Sequence, residues 1–163
     1  MKLLLLSFVL LFSITPSPEI ATVREHYVSA ATSQQSADSF YKALENITES
    51  HNDKTLLAYK AASIVLLAKY DSGIFSKTRL FNRGTDLLEI AIKQAPDNYE
   101  ARLIRLNIQD NVPWITGYTG EIKADKIFLA KNYARQSEDL KAFTKKYILQ
   151  SDAFNAKEKV AFN

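Results

Sequence analysis

Ile90-Ala91-Ile92-Lys93-Gln94-Ala95-Pro96-Asp97-Asn98-Tyr99-Glu100-Ala101 decides the fold of this chain. The apolar residues before Pro96 close one helix. Proline has no N–H to donate and its ring clashes with the preceding turn, so that helix stops there. Asp97 with Glu100 three residues on resembles a capping box, with Asp in place of Ser or Thr, and restarts the chain as a second helix. Two helices joined by so short a link fold back and pack side by side. The chain therefore reads as all-α, built from antiparallel helical hairpins. That architecture supports binding more often than chemistry.

The same spacing runs outward in both directions. Ile20, Val23, Tyr27 and Ala30 mark a first helix. Ala37, Phe40, Leu44 and Ile47 mark a second at steps of three, four and three. Asn52 and Asp53 cap a third, about residues 54–70, which is apolar on nearly every side and so belongs at the centre of a domain. Asp71-Ser72-Gly73 breaks the chain. A fourth helix over about 77–95 buries Phe81, Gly84, Leu88, Ala91 and Ala95. The fifth, about 98–111, uses Ala101, Ile104 and Ile108. Residues 112–120 form the longest irregular segment. A sixth helix over about 121–135 carries Ile127, Leu129, Ala130, Tyr133 and Ala134, and a seventh over about 138–150 uses Leu140, Phe143, Tyr147 and Ile148. The tail from Ser151 is helix-compatible but frays easily.

The fourth helix resembles the second helix of a tetratricopeptide (TPR) repeat. Gly84, Leu88, Ala91 and Pro96 stand at that family's small, large, alanine and proline positions, followed by a similar restart. Tyr59, Ala62, Ser63 and Leu66 suit the partner helix. The resemblance covers residues 57–101. It implies a short right-handed TPR-like array of six or seven stacked helices. Two features depart from it. The link between the paired helices is about nine residues longer than the repeat allows, and Arg102, Arg105 and Leu106 replace an aromatic, a Leu and a Gly. The whole chain also resembles small exported proteins of two-membraned bacteria, a likeness that brings no activity with it.

The N-terminus has the layout of a secretory leader. Lys2 precedes an apolar run from Leu3 to Ile14, then Thr15, Pro16, Ser17 and Pro18 end it. Twelve helical residues rise only about 18 Å, too little for a bilayer core of roughly 30 Å. The expected boundaries are residues 1–18 for the leader, with cleavage at about 15–21, and 19–163 for one all-α domain. The protein is then periplasmic or secreted, or else anchored by an uncleaved leader, with no membrane span once the leader is removed. There is no cysteine, so disulfides, thiolate metal sites and thiol catalysis are excluded. The net charge is +3, carried by residues 121–163, and the charges are interspersed as on a solvated helical face. That pattern argues against nucleic acid. Asn46-Ile47-Thr48 matches a glycosylation acceptor, but on a helix with Ile47 inward it reads as coincidence.

Little here points to catalysis. His26 and His51 have no zinc-type spacing and read as surface or boundary residues. No phosphate loop or nucleophile elbow occurs. Gly117, Gly120 and Lys123 form a turn ahead of a helix N-terminus, where an anion could sit. Glu121 and Asp125 share a face that suits solvent. No cofactor or metal is expected. Two features could carry binding. Trp114 and Tyr118, with Ile115 between, lie on a loop and could anchor a partner. The blander alternative folds Trp114 down to close the end of the stack. Arg102 and Arg105 share a helix face that lines the concave groove in TPR proteins, so the resemblance implies a receptor for a peptide carboxylate. Their blander reading is solvated surface arginines. The expected function is an exported, non-enzymatic protein–protein interaction module, with another protein or peptide as partner. The alternative is a small-ligand binder with a pocket under the 112–120 loop.

Overall fold

The computed structural model describes residues 19–162, and the leader expected over residues 1–18 lies outside the described residues. Eight α-helices occur among the described residues, with no strand: α1 (Ile20–Ala30), α2 (Gln34–Ala43), α3 (Lys54–Tyr70), α4 (Ile74–Gln94), α5 (Tyr99–Asn111), α6 (Ile122–Asn132), α7 (Glu138–Gln150) and α8 (Ala156–Lys159). Single 3₁₀ turns occupy Trp114–Thr116, Tyr133–Arg135 and Val160–Phe162. The proline junction behaves as its residues dictate, with one correction. The cap of α5 is Asn98, whose side chain accepts from the Ala101 N–H and donates to Thr55 at 2.9 Å. Glu100 is no part of a capping box; it points into the core.

α3 is the central rod, as its all-round apolar pattern requires. Asp53 caps it through the N–H groups of Thr55 and Leu56. Only Asp71, Ser72 and Gly73 separate it from α4, so the two run antiparallel. The extra length that set this pair apart from a TPR repeat is therefore helix, not loop: α4 begins at Ile74 rather than 77. The pair is tight because of Gly84. A Cβ built there would stand 2.6 Å from Val65 Cγ2, 2.9 Å from the Ala61 carbonyl oxygen and 3.0 Å from the Val65 nitrogen. Leu88 and Ala91 are fully buried in the same seam.

Two apolar clusters meet across α5. The first packs α1 to α5 around Tyr27, Phe40 and Tyr59, with Tyr59 edge-on to both neighbours at centroid distances of 5.5 and 6.4 Å. Ala101, Ile104 and Ile108 of α5 belong to it. The second gathers Tyr99, Leu103 and Leu106 from the same helix with Leu129, Leu140 and Ile148. It also takes Phe154 and Phe162, so the tail is anchored rather than frayed. Asn155 and Glu158 form a true capping box for α8, and Glu158 pairs with Lys126 at 2.8 Å. Ile127 departs from expectation and faces solvent, because α6 turns Leu129 and Asp125 inward. Asn46-Ile47-Thr48 lies past the end of α2, with Asn46 exposed and Ile47 buried.

A buried ion pair locks α1 onto α5. Glu100 receives the Arg24 guanidinium at 2.7 and 2.8 Å from two nitrogens, and the Tyr59 hydroxyl donates to the same carboxylate. Arg24 also reaches Asp139 at the start of α7. One arginine thus joins α1, α5 and α7, and the tyrosine adds α3. Hydrogen bonding to Glu100 raises the Arg24 pKa above the usual arginine range. The Ser137 hydroxyl and Arg24 pull the Asp139 carboxyl down to about 2 from its ordinary 3.8.

Two outcomes are expected. Gly84→Ala gains about 1 kcal/mol of helix propensity, but its methyl meets backbone that cannot step aside, so urea denaturation should show a net loss of about 1–2 kcal/mol. Ala91→Leu should cost about 1–3 kcal/mol in the same seam. The second outcome concerns acid. A carboxyl whose pKa is lowered by folding stabilises the protein above its unfolded pKa and stops doing so as pH falls through the folded one. Glu158, drawn down by Lys126, and Asp71, drawn down by Ser76, act in the same direction as Asp139. Stability should fall between about pH 4 and about pH 2, and Asp139→Asn should flatten part of that slope in acid denaturation curves.

Candidate functional site

The described surface is hollowed by a groove where the C-terminal ends of α3, α5 and α7 come together beside the start of α4. α1 forms one wall and the segment from Val112 to Thr116 forms the roof. The groove has a volume of about 1050 Å³. Its floor is apolar: Ala62, Val65, Leu66, Phe81, Ile108 and Phe143. The fixed polar groups sit on one side. Tyr27 donates its hydroxyl to Asn107 at 2.9 Å. Asp110 accepts from Tyr147 at 3.1 Å and from Ser151 at 2.6 Å. Burial first, with Asp110 behind it, raises the Tyr147 pKa well above the usual tyrosine range, so it stays a donor. Lys69, Lys77 and Lys146 stand on the rim with Asp152. Lys69 donates to the Ala31 carbonyl, whereas Lys77 and Lys146 form no ion pair among the described residues.

The structure divides the four sequence-derived binding candidates. Trp114 does not fold down over the stack. It is 83% exposed, beside Ile115 at 78% on the groove lining. Pro113 and the left-handed Gly117 (φ +70°) bracket the intervening 3₁₀ turn that carries the indole. Tyr118 packs instead of presenting itself. Its ring lies edge-on to Phe81 at 6.0 Å, and its hydroxyl donates to Glu89 at 2.5 Å.

Arg105 is buried and Arg102 half-buried, and both are already engaged within the chain. Arg105 grips Asp125 with two nitrogens at 2.7 and 2.8 Å and reaches Glu89 at 2.8 Å. Arg102 adds a third nitrogen to Asp125 at 3.0 Å and lies over the Phe128 ring at 4.4 Å. Asp125 is completely buried, so its face of α6 is no solvated one. The carboxylate that these arginines receive is the chain's own. Its sequence signal was faint: two arginines and one aspartate, twenty residues apart, with nothing to say they meet. The N-terminus of α6 carries Glu121 and Asp125, whose negative charge disfavours an anion there.

Of the two histidines, His26 is exposed on α1, and the His51 ring touches only the backbone of Asp53, at 3.2 Å. No cluster of three metal-ligating side chains occurs among the described residues. No helix there is long and apolar enough to cross a membrane. No family model, curated protein or solved structure matches this chain.

Asp125→Ala should be far more damaging than its place near a loop suggests. It leaves Arg105 buried with only the half-exposed Glu89 and the more distant, exposed Glu121 as partners, and denaturant melts should record a loss of about 3–5 kcal/mol.

Proposed function

We propose that this protein is an exported, non-catalytic, TPR-like interaction module that holds a segment of a protein partner in the groove beneath residues 112–116. The observation that carries the reading is the exposure of Trp114 and Ile115 at the edge of an apolar floor. An aromatic anchor in water beside a groove is what partner recognition uses, since covering it gives the largest return in buried area. Lys77 and Lys146 on the rim favour a partner segment that mixes aliphatic with acidic residues. Export rests on the leader-like N-terminus. The stacked-hairpin reading rests on Gly84 and Ala91 at the small positions of the α3–α4 seam and on α5 layered beside it. The peptide-carboxylate role implied for Arg102 and Arg105 is not carried forward.

A small apolar ligand in the same groove is the second reading, favoured by a volume at the upper end of small-molecule sites. One experiment separates the two. Trp114 is the only tryptophan in the chain and sits between Pro113 and Ile115 of the groove lining, so its emission reports on the groove's edge. Peptides selected by display against the purified protein should be rich in Leu, Ile, Asp and Glu and should shift Trp114 emission to the blue on binding. Trp114→Ala and Lys146→Glu should each weaken binding by on the order of tenfold. Trp114→Ala should leave stability within about 0.5 kcal/mol of the parent, as an exposed side chain allows. Selected peptides that bind Lys146→Glu as tightly, or that leave the emission unmoved, would defeat the proposal. A blue shift with small apolar compounds but with no peptide would favour the second reading.

A further inference from the structure

α4 has a second groove on its other flank, bordered by the end of α2 and by α3, and also about 1050 Å³ in volume. Thr78 and Asn82 form the crest between the two grooves. Its unusual feature is Lys60. This lysine sits in the middle of the otherwise apolar α3 and is only 6% exposed. Its ammonium lies 3.6 Å from the centre of the Tyr41 ring, at the groove wall. It has no carboxylate within ion-pair distance and no hydrogen-bond acceptor among the described residues. Burial first, and then the Arg83 guanidinium, lower its pKa below the ordinary lysine value, while Glu45 pulls weakly the other way. Lys60, Arg79 and Arg83 therefore line one groove, and Lys60 forms no ion pair with any of its carboxylates among the described residues. A buried charge without a counter-ion is costly, and an aromatic face offsets only part of that.

The same groove has an apolar lip that nothing covers. Ile74 is 79% exposed and Phe75 is 92% exposed, and both line it. At about 1.5 Å per residue, Phe75 lies roughly 12 Å along α4 from Arg83, and the i, i+4 spacing through Arg79 keeps both on one face. That distance is about the length of a medium-chain acyl tail. Ile64 and Leu87 complete the apolar wall. Glu45, Glu49 and Asp86 line the same groove and would repel a second negative charge. A ligand with one anionic end fits this distribution, and a polyanion does not.

We infer that the groove between α2 and α4 binds a free medium-chain carboxylate, with its head between Lys60 and Arg83 and its tail running to Ile74 and Phe75. This site is separate from the groove proposed for the partner and stands or falls without it. The test uses decanoate, with decanol as the same tail without the charge and acetate as the head without the tail. Two readouts on the full protein report the two grooves: reductive methylation of Lys60, followed by mass spectrometry, and emission of Trp114, which sits between Pro113 and Ile115 of the first groove's lining. Decanoate should slow methylation of Lys60 by on the order of tenfold, with Trp114 emission unchanged. Decanol and acetate at the same concentration should protect far less. Lys60→Met should weaken decanoate binding in calorimetry by about tenfold while leaving decanol binding as it was. If that variant fails to fold, the protection of Lys60 in the parent protein decides. Unprotected Lys60, equal protection by decanol, or a decanoate response confined to Trp114 would overturn the inference.

Discussion

α5 carries two ionised side chains into the interior, and the arrangement of the other helices follows from the need to neutralise them. Glu100 and Arg105 are each nearly inaccessible to water. An isolated ion in such a place costs several kcal/mol even after relaxation, so each requires a partner at hydrogen-bond distance. For Glu100 the partners come from α1 and α3, and for Arg105 from α4 and α6. Such pairs are weak sources of net stability. Their effect is on register: sliding α1 by one turn along α5 would strand Arg24 and Glu100 together. Apolar packing tolerates small slips, whereas a bidentate arginine–carboxylate contact does not.

The two grooves are a by-product of a different constraint. α3 is apolar all round and must be covered on every side, and α4 covers it best because Gly84 lets the two backbones approach. A helix of this length reaches past the end of its partner. The first turns of α4 thus stand clear of the bundle, with α1, α7 and the 112–116 turn on one flank and the end of α2 on the other. Ile74 and Phe75 project from that overhang with nothing to pack on. Exposed apolar surface and hollow surface therefore arise in the same region, and both proposed ligands are placed there.

The candidate sites were only partly legible beforehand. Trp114 stood out as a lone aromatic in a Pro- and Gly-flanked loop, but whether such a ring points in or out depends on room beneath it, which no local pattern encodes. Arg102 and Arg105 matched a helix face that a repeat protein would turn to its ligand. Asp125, twenty residues on, reverses that meaning, because an arginine already held by a buried carboxylate has no free fork for a peptide. Lys60 was visible as one cation in an apolar helix. The informative fact about it is the absence of a counter-ion nearby, and that is a property of neighbours distant in the chain.

Helix positions and the antiparallel α3–α4 pair were determined by the sequence itself. Three-and-four spacing, Pro96, Asp53 and the short Asp71-Ser72-Gly73 link act over a few residues, and their physics is local. The start of α4, the cap on Asn98, the inward turn of Glu100 and the anchoring of Phe154 and Phe162 were decided by tertiary structure. In each case a residue with two acceptable local roles took the one that buried its apolar surface or satisfied its charge against a partner far away in sequence. Local backbone preferences differ by under about 1 kcal/mol, while burying an apolar ring or stranding an ion is worth several. The larger, non-local energy settles such choices, and only the folded chain contains it.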